Sequence, residues 1–339
     1  MITHFGQLPS GEEASLYTLT LGDLTAKVTD FGATLVSLMV PDKNGQPADV
    51  VLGYDDVMGY HNGWAFLGAT VGRNANRIKG GRFKLGRRVV RLLPFERGNN
   101  LHSGFHFLHR RMWQVEQSSD TSITFLLNSP HKDQGFPGNA TIRVTYALEA
   151  PATLRVIFDA VSDRDTVFNF TNHSYFNLAG HEHPEKAMAQ TLMMPARFFL
   201  PCDKKGIPTG ELRSVEGTPM DFRQPKALGR DLEENYEPLQ LQGGYDHCFE
   251  VFCAPCAVLR DPESGRTMAV TTDCPGVQIY TGGAPKAMGK GGASYGSRSA
   301  VCLETQFYPD AVNHPEWQQP FTKAGVPYHS ETAFQFTVE

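Results

Sequence analysis

The sequence is poor in several features that mark whole classes of protein. No stretch approaches the ~18 consecutive apolar residues that a membrane-spanning helix needs, so no membrane partner is expected. The opening residues MITHFGQLPSGEEASLYTLT carry no basic segment followed by an apolar one, so no signal peptide is expected and the cytoplasm is the expected location. Cysteine is sparse, six in 339 residues, which argues against a disulfide scaffold and for reduced, mostly packed thiols. Cys253 and Cys256 have the spacing of a redox or zinc pair but lack a second pair. Three matches to the glycosylation sequon, at Asn139, Asn169 and Asn172, are then expected to be chance. Positive charge is neither abundant nor clustered. With 31 Lys and Arg against 36 Asp and Glu, and no basic run, nucleic acid is not an expected partner. Helical periodicity is also scarce, because 33 Gly and 22 Pro interrupt almost every candidate longer than three turns.

What remains is ample apolar material, 40% hydrophobic and 11% aromatic, arranged in short alternating segments. Strands are expected at residues 16–21 and 24–28 around a Gly22-Asp23 turn, at 49–52, 83–85 and 87–92, and through Ile142, Val144, Tyr146 and Leu148. Further strands are expected at 154–161, 269–272, 277–281, 300–307 and 334–338. Many short strands with frequent turn signals predict an all-β chain, a large antiparallel β-sandwich, over a single domain of residues 1–339. The glycine-rich stretch Gly282 to Gly296 is expected to be a mobile loop.

Phosphate chemistry finds no support. Gly289-Lys-Gly-Gly292 lacks the upstream Gly and the following Ser or Thr of a phosphate loop. Histidines cluster at His102, His106 and His109 and at His181 and His183, without the spacing of a metal site, so no metal is expected. More informative are polar groups set in apolar or turn-rich surroundings. His173 sits in Thr171-Asn-His-Ser-Tyr-Phe-Asn-Leu178. Strand alternation puts Val301, Leu303, Thr305 and Phe307 on one face, and Ala300, Cys302, Glu304 and Gln306 on the other. A glutamate beside Ala and Cys is poorly explained by a solvated face. Gly72-Arg-Asn-Ala-Asn-Arg-Ile78, Gly98-Asn-Asn-Leu-His-Ser-Gly104 and Gly243-Gly-Tyr-Asp-His-Cys-Phe249 add planar and charged donors and acceptors suited to vicinal sugar hydroxyls.

Taken in order, GRNANRI, NNLHSG, DQGFPGN, TNHSYFNL, GGYDHCF, PGVQIYTG and LETQFYPDAVNHPEW resemble the blocks of the aldose 1-epimerase (galactose mutarotase) family, over about nine-tenths of the chain. The resemblance implies a β-supersandwich with the sugar in an open cleft across one sheet, and no cofactor or metal. It implies His173 as general acid and Glu304 as general base, with Arg73, His102, Asp246 and Gln278 holding the sugar. Asn74, Ser103 and Ile279 depart from the aromatic, Gly and Phe usual in relatives, and the segment after Thr281 departs as well. These departures spare the acid and base and bear on the pocket lining.

The implied reaction opens the pyranose ring and recloses it on the other face. It removes a proton from the C1 hydroxyl and delivers one to the ring oxygen O5. Glu304 is expected to be ionised, with a pKa of ~4.3, and His173 to be raised above ~6.5 by a nearby carboxylate, giving an activity that falls at both acid and alkaline pH. The expected partner is an aldohexose such as D-galactose or D-glucose, with pentoses open, acted on by a monomer or homodimer. The alternatives are a hexose-6-phosphate 1-epimerase, which needs an extra cationic cluster, and a non-catalytic sugar-binding protein, which does not need His173 and Glu304 together. A glycosidase is disfavoured because it wants two carboxylates.

Overall fold

A computed structural model describes residues 1–63, 65–282 and 287–339. Among the described residues, antiparallel strands form sheets of nine, six and five strands, with short ribbons and only short helical turns between them. The expected all-β sandwich is the architecture observed. The nine-stranded sheet runs Gln114–Ser118, Ser122–Ser129, Ala140–Glu149, Thr153–Ser162, Tyr328–Val338, Arg266–Thr272, Ala257–Arg260, Thr191–Met193 and Lys226–Ala227. The six-stranded sheet runs Tyr175–Phe176, Val301–Gln306, Gly276–Tyr280, Asp246–Glu250, Phe198–Phe199 and Arg213–Ser214.

Period-two patterning decides which faces meet. Along Ala140–Glu149, Ile142, Val144, Tyr146 and Leu148 are buried while their neighbours are half-buried. They pack with Phe249, Val277, Ile279, Val301 and Leu303 of the six-stranded sheet in one continuous core. Each such side chain contributes about 1.5–3 kcal/mol on leaving water. Thr305 joins the sheets through a hydroxyl–hydroxyl bond to Thr332. The opposite face of the six-stranded sheet then carries Asp246, Cys248, Gln278, Tyr280, Cys302, Glu304 and Gln306, as the register pairs require.

Two expectations need correction. The segment expected as a strand at 49–52 belongs to the strand Pro47–Asp49 only at its first residue, and beyond it Val51 makes an isolated antiparallel bridge to Phe176. The Asp49 carboxylate accepts from the Leu38 and Val51 amides, while the Val50 amide donates to the Leu38 carbonyl and the Leu52 amide to the Tyr175 carbonyl. In the glycine-rich stretch, residues 283–286 lie outside the described residues. The remainder is not a free loop: Ala287–Met288 pairs with Ser294–Tyr295, and the buried Lys290 ammonium binds Asp49 and the Val36 and Val51 carbonyls. The six cysteines are free thiols, and all but Cys253 are buried. Asn169 and Asn172 are buried too, so neither could accept a glycan.

Candidate active site

The polar face of the six-stranded sheet is the floor of the site. Glu304 stands opposite Gln278 in register, and the Gln278 amide donates to Asp246 Oδ1 at 2.6 Å. His173 comes from a different element, the strand Thr171–His173, which pairs with Ala69–Val71. That strand is fixed from behind. The Asn172 amide donates to the Gly68 carbonyl and to the Tyr146 hydroxyl, which itself donates to Ala33. Gly68 adopts φ +63°, and a Cβ there would meet the Leu35 carbonyl oxygen at 1.9 Å, so no other residue fits. The outcome is His173 Nε2 at 3.5 Å from Glu304 Oε1, with both side chains almost wholly buried. Glu304 Oε2 is buried and has no hydrogen-bond partner among the described residues.

His102 completes the cluster. One ligand atom from each of His102, His173 and Glu304 lies within 4.8 Å of the others, as a metal site would require. The donor chemistry fits a metal poorly. The Asn76 backbone N–H donates to His102 Nδ1 at 3.1 Å, so the neutral ring carries its proton on Nε2. Coordination through either nitrogen would displace that bond or strip that proton. His102 is instead a fixed N–H donor. His181 bonds the Tyr295 hydroxyl, and His109 is buried against Phe66 and Phe107.

The two arginines of Gly72-Arg-Asn-Ala-Asn-Arg-Ile78 divide differently from expectation. Arg73, expected to hold the sugar, is fully buried. It donates to Ser129 Oγ and to the carbonyls of Ser129, Pro137 and Gly138. Its guanidinium braces loops away from His173. Arg77 is the one beside the site: its Nη1 lies 3.9 Å from Asp246 Oδ2 while its Nε binds Glu96 Oε2 at 3.1 Å. Sequence reading passed over this role because the signal is tertiary. A two-residue pairing of Arg77–Ile78 with Asn100–Leu101 brings Arg77 beside His102. Aromatic neighbours were missed as well. The His173 ring is stacked between Tyr175, at 5.0 Å between centroids, and Phe66, at 5.7 Å, with the edge of Tyr280 at 6.0 Å.

Of the three departures from the resembling family, Asn74 and Ser103 bond each other and Ile279 lies away from this floor. Ile279 faces the core between the sheets. Ser103 uses its hydroxyl on its neighbour, accepting from the Asn74 amide and donating to the Asn74 carbonyl.

Burial sets the electrostatics, and in the opposite sense to the expectation. Desolvation pushes the Glu304 carboxyl well above the usual range, helped by the nearby Asp246 charge and opposed by Arg77. Desolvation likewise lowers His173, to about 4, with the Asp246 charge opposing. His102 is held well below its usual value by burial and then by His173 and Arg77. The Glu304–His173 pair is 3.5 Å apart, and burial favours its uncharged form, with a proton on the carboxyl rather than a charge on the ring.

Sequence comparison follows the geometry. Residues 15–335 match the family described as Aldose 1-epimerase. The chain is 37% identical to galactose mutarotase of Mus musculus over 345 residues, 99% of this chain and 98% of that one. It is 37% identical to aldose 1-epimerase of Haemophilus influenzae over 97% of both chains. The solved GalM/aldose epimerase homologue of C. elegans superposes with a TM-score of 0.89 at 29% identity, over 96% of this chain and 99% of that one. Galactose 1-epimerase of Lactobacillus acidophilus gives 0.87 at 25% identity, over 100% and 98%. The fold is therefore that of the galactose mutarotase β-sandwiches, proteins of carbohydrate metabolism. The chain belongs to the aldose 1-epimerase family, and it is an isomerase of the mutarotase type. Among the described residues, no helix is long and apolar enough to cross a membrane.

Proposed function

We propose that this chain interconverts the α and β anomers of aldohexoses such as D-galactose and D-glucose, with Glu304 and His173 moving the protons. Glu304 takes the proton from the C1 hydroxyl, the C1–O5 bond breaks as the aldehyde forms, and His173 delivers a proton to O5. Rotation about C1–C2 and the reverse transfers close the ring on the other face. Opening converts a carboxylate and an imidazolium into a carboxylic acid and a neutral ring, the form that burial favours; reclosure restores the first. The pair's proton count is unchanged over a turnover, so no third proton carrier is required.

The observation that carries this reading is the buried contact between His173 Nε2 and Glu304 Oε1, with Glu304 Oε2 left unpartnered beside it. O1 and O5 share one carbon, so adjacent acid and base groups suit them. Sugar hydroxyls find donors and acceptors in Arg77, Asp246, Gln278 and the Nε2–H of His102. A hexose 6-phosphate is a poorer substrate for this site, because Arg77 is already flanked by the carboxylates of Glu96 and Asp246.

Polarimetry of freshly dissolved α-D-galactose and α-D-glucose tests the reading. The wild type accelerates relaxation to the unchanged final rotation, and Glu304→Gln lowers kcat about 10²–10⁴-fold, the usual contribution of one proton-transfer group. The kcat profile is bell-shaped, falling as the pair gains a second proton in acid and as it loses its last in alkali. Near-normal kcat in the variant would remove Glu304 from the mechanism.

A further inference from the structure

A histidine that carries a proton in both directions needs one nitrogen at the reacting atoms and a partner on the other nitrogen that accepts either protonation state. The two site histidines differ in this respect. His102 Nδ1 faces a backbone N–H, which can only donate, so a charged His102 would set two N–H groups against each other. His173 Nδ1 faces a thiol: Cys302 Sγ lies at 3.6 Å, fully buried. Cys302 is placed there by register, opposite Tyr175 on one side and Tyr280 on the other, the two residues whose rings also border the imidazole.

We propose that Cys302 is a positioning residue, its thiol donating to Nδ1 of the neutral His173 ring and accepting from Nδ1–H of the charged ring, so that Nε2 stays aimed at Glu304 and the sugar throughout turnover. A thiol has one weak donor and a weak acceptor on one freely rotating atom. A carboxylate at this position would hold the imidazolium and oppose its discharge; a backbone amide would oppose its formation. Mutarotation needs both halves equally, because each opening is followed by a closure. Burial and the nearby Glu304 and Asp246 charges keep the sulfur protonated, so S–H and not thiolate meets the ring. The other titratable or charged groups around His173 are Glu304, Asp246, His102, His109, Tyr175 and Tyr280. Cys302 Sγ is the side-chain atom placed at hydrogen-bond distance from Nδ1 among the described residues, beside the His173 backbone carbonyl. The inference rests on His173 being the proton carrier.

The test combines ¹⁵N-histidine NMR of the full chain with kcat and KM for α-D-galactose across pH, in wild type, Cys302→Ser and Cys302→Ala. The wild-type His173 ring is expected to be neutral with its proton on Nε2. Cys302→Ser, which keeps an ambivalent hydroxyl, retains that tautomer and most of kcat. Cys302→Ala mixes the tautomers, moves the alkaline limb of the profile and lowers kcat about 10–100-fold, the scale of a misplaced reacting group, with KM little changed. Should the alanine variant fail to fold, Cys302→Val fills the space without the donor and is read the same way. A wild-type tautomer signal and kcat in the alanine or valine variant would overturn the proposal, as would a loss confined to KM or to melting temperature. His173→Asn is assayed separately. Normal activity there would defeat the proton-carrier reading, while the ¹⁵N signal still decides whether Cys302 sets the ring.

Discussion

The two faces of the six-stranded sheet are made by the same strands in the same register, yet they obey opposite rules. The inner face carries Phe249, Val277, Ile279, Val301 and Leu303, buried in a single apolar core. The outer face carries Gln278, Cys302 and Glu304, nearly as well buried, and the half-buried Asp246, with Gln278 Oε1 and Glu304 Oε2 unpartnered among the described residues. Unsatisfied buried polar groups are costly, so the outer face loses stability where the inner face gains it. A site that must bind hydroxyls and move protons holds such groups ready. Paired substitutions one residue apart separate the two faces. Leu303→Ala is expected to destabilise by about 2–5 kcal/mol while leaving kcat per folded molecule close to wild type. Glu304→Gln is expected to abolish most activity and raise the melting temperature. The sign follows from linkage. A carboxyl whose folded pKa is raised supports folding below its unfolded value and loses that support as pH rises through the folded value. The stability gap between Glu304→Gln and wild type therefore widens from about pH 4 upward, starting at the unfolded carboxyl's own titration, and calorimetry at stepped pH checks it. A gap that narrows with rising pH would show that Glu304 is stabilised as the carboxylate.

The same contrast recurs inside one motif. Arg73 and Arg77 are close in sequence, Arg73 buried and Arg77 partly so, but Arg73 is surrounded by acceptors of the backbone and Arg77 by carboxylates at the site. Arg73→Ala would orphan the carbonyls of Ser129, Pro137 and Gly138, at about 1–3 kcal/mol for each buried acceptor. Its expected signature is a large fall in stability with KM unchanged in the folded fraction. Arg77→Ala is expected to keep the fold and lower kcat/KM about 10–100-fold, the equivalent of one hydrogen bond involving charge. If Arg73→Ala folds normally and loses sugar affinity instead, the division between the two arginines is wrong.

These pairs also show what the chain alone makes legible. Period-two alternation is local, so the order of residues is enough to separate Leu303 from Glu304, and Ile142, Val144, Tyr146 and Leu148 from their neighbours. The family blocks located His173, Glu304, His102, Asp246 and Gln278 in one neighbourhood. The roles of Arg73 and Arg77 were not legible, because both lie in one polar heptapeptide and their partners are Ser129, Pro137 and Gly138 for one, Glu96 and Asp246 for the other. The direction of the Glu304 and His173 shifts was misread for a related reason. A carboxylate close by raises a histidine in water, but here both groups are shut away together and desolvation outweighs their neighbours. Burial of an ionisable pair is a property of the packed sheet and has no local signature.

Ser103 offers the smallest and most discriminating test of how departures within the family settle. Its backbone has φ +67°, in the left-handed region that favours Gly, which is the residue usual in relatives. Replacement by Gly would relieve about 1–2 kcal/mol of that strain. It would also leave the Asn74 amide and carbonyl without the Ser103 hydroxyl, at a site 1% exposed where water does not readily substitute. Two orphaned backbone groups cost about 1–3 kcal/mol each, which exceeds the relief. Ser103→Gly alone should therefore be destabilising by about 2–3 kcal/mol, read as a lower urea midpoint at unchanged slope, with kcat near wild type. A variant more stable than wild type would mean that the hydroxyl does not hold Asn74, and that Ser103 bears on the pocket in some other way. The expected result instead makes Ser103 and Asn74 a coupled pair, in which the hydroxyl of one holds the backbone of the other.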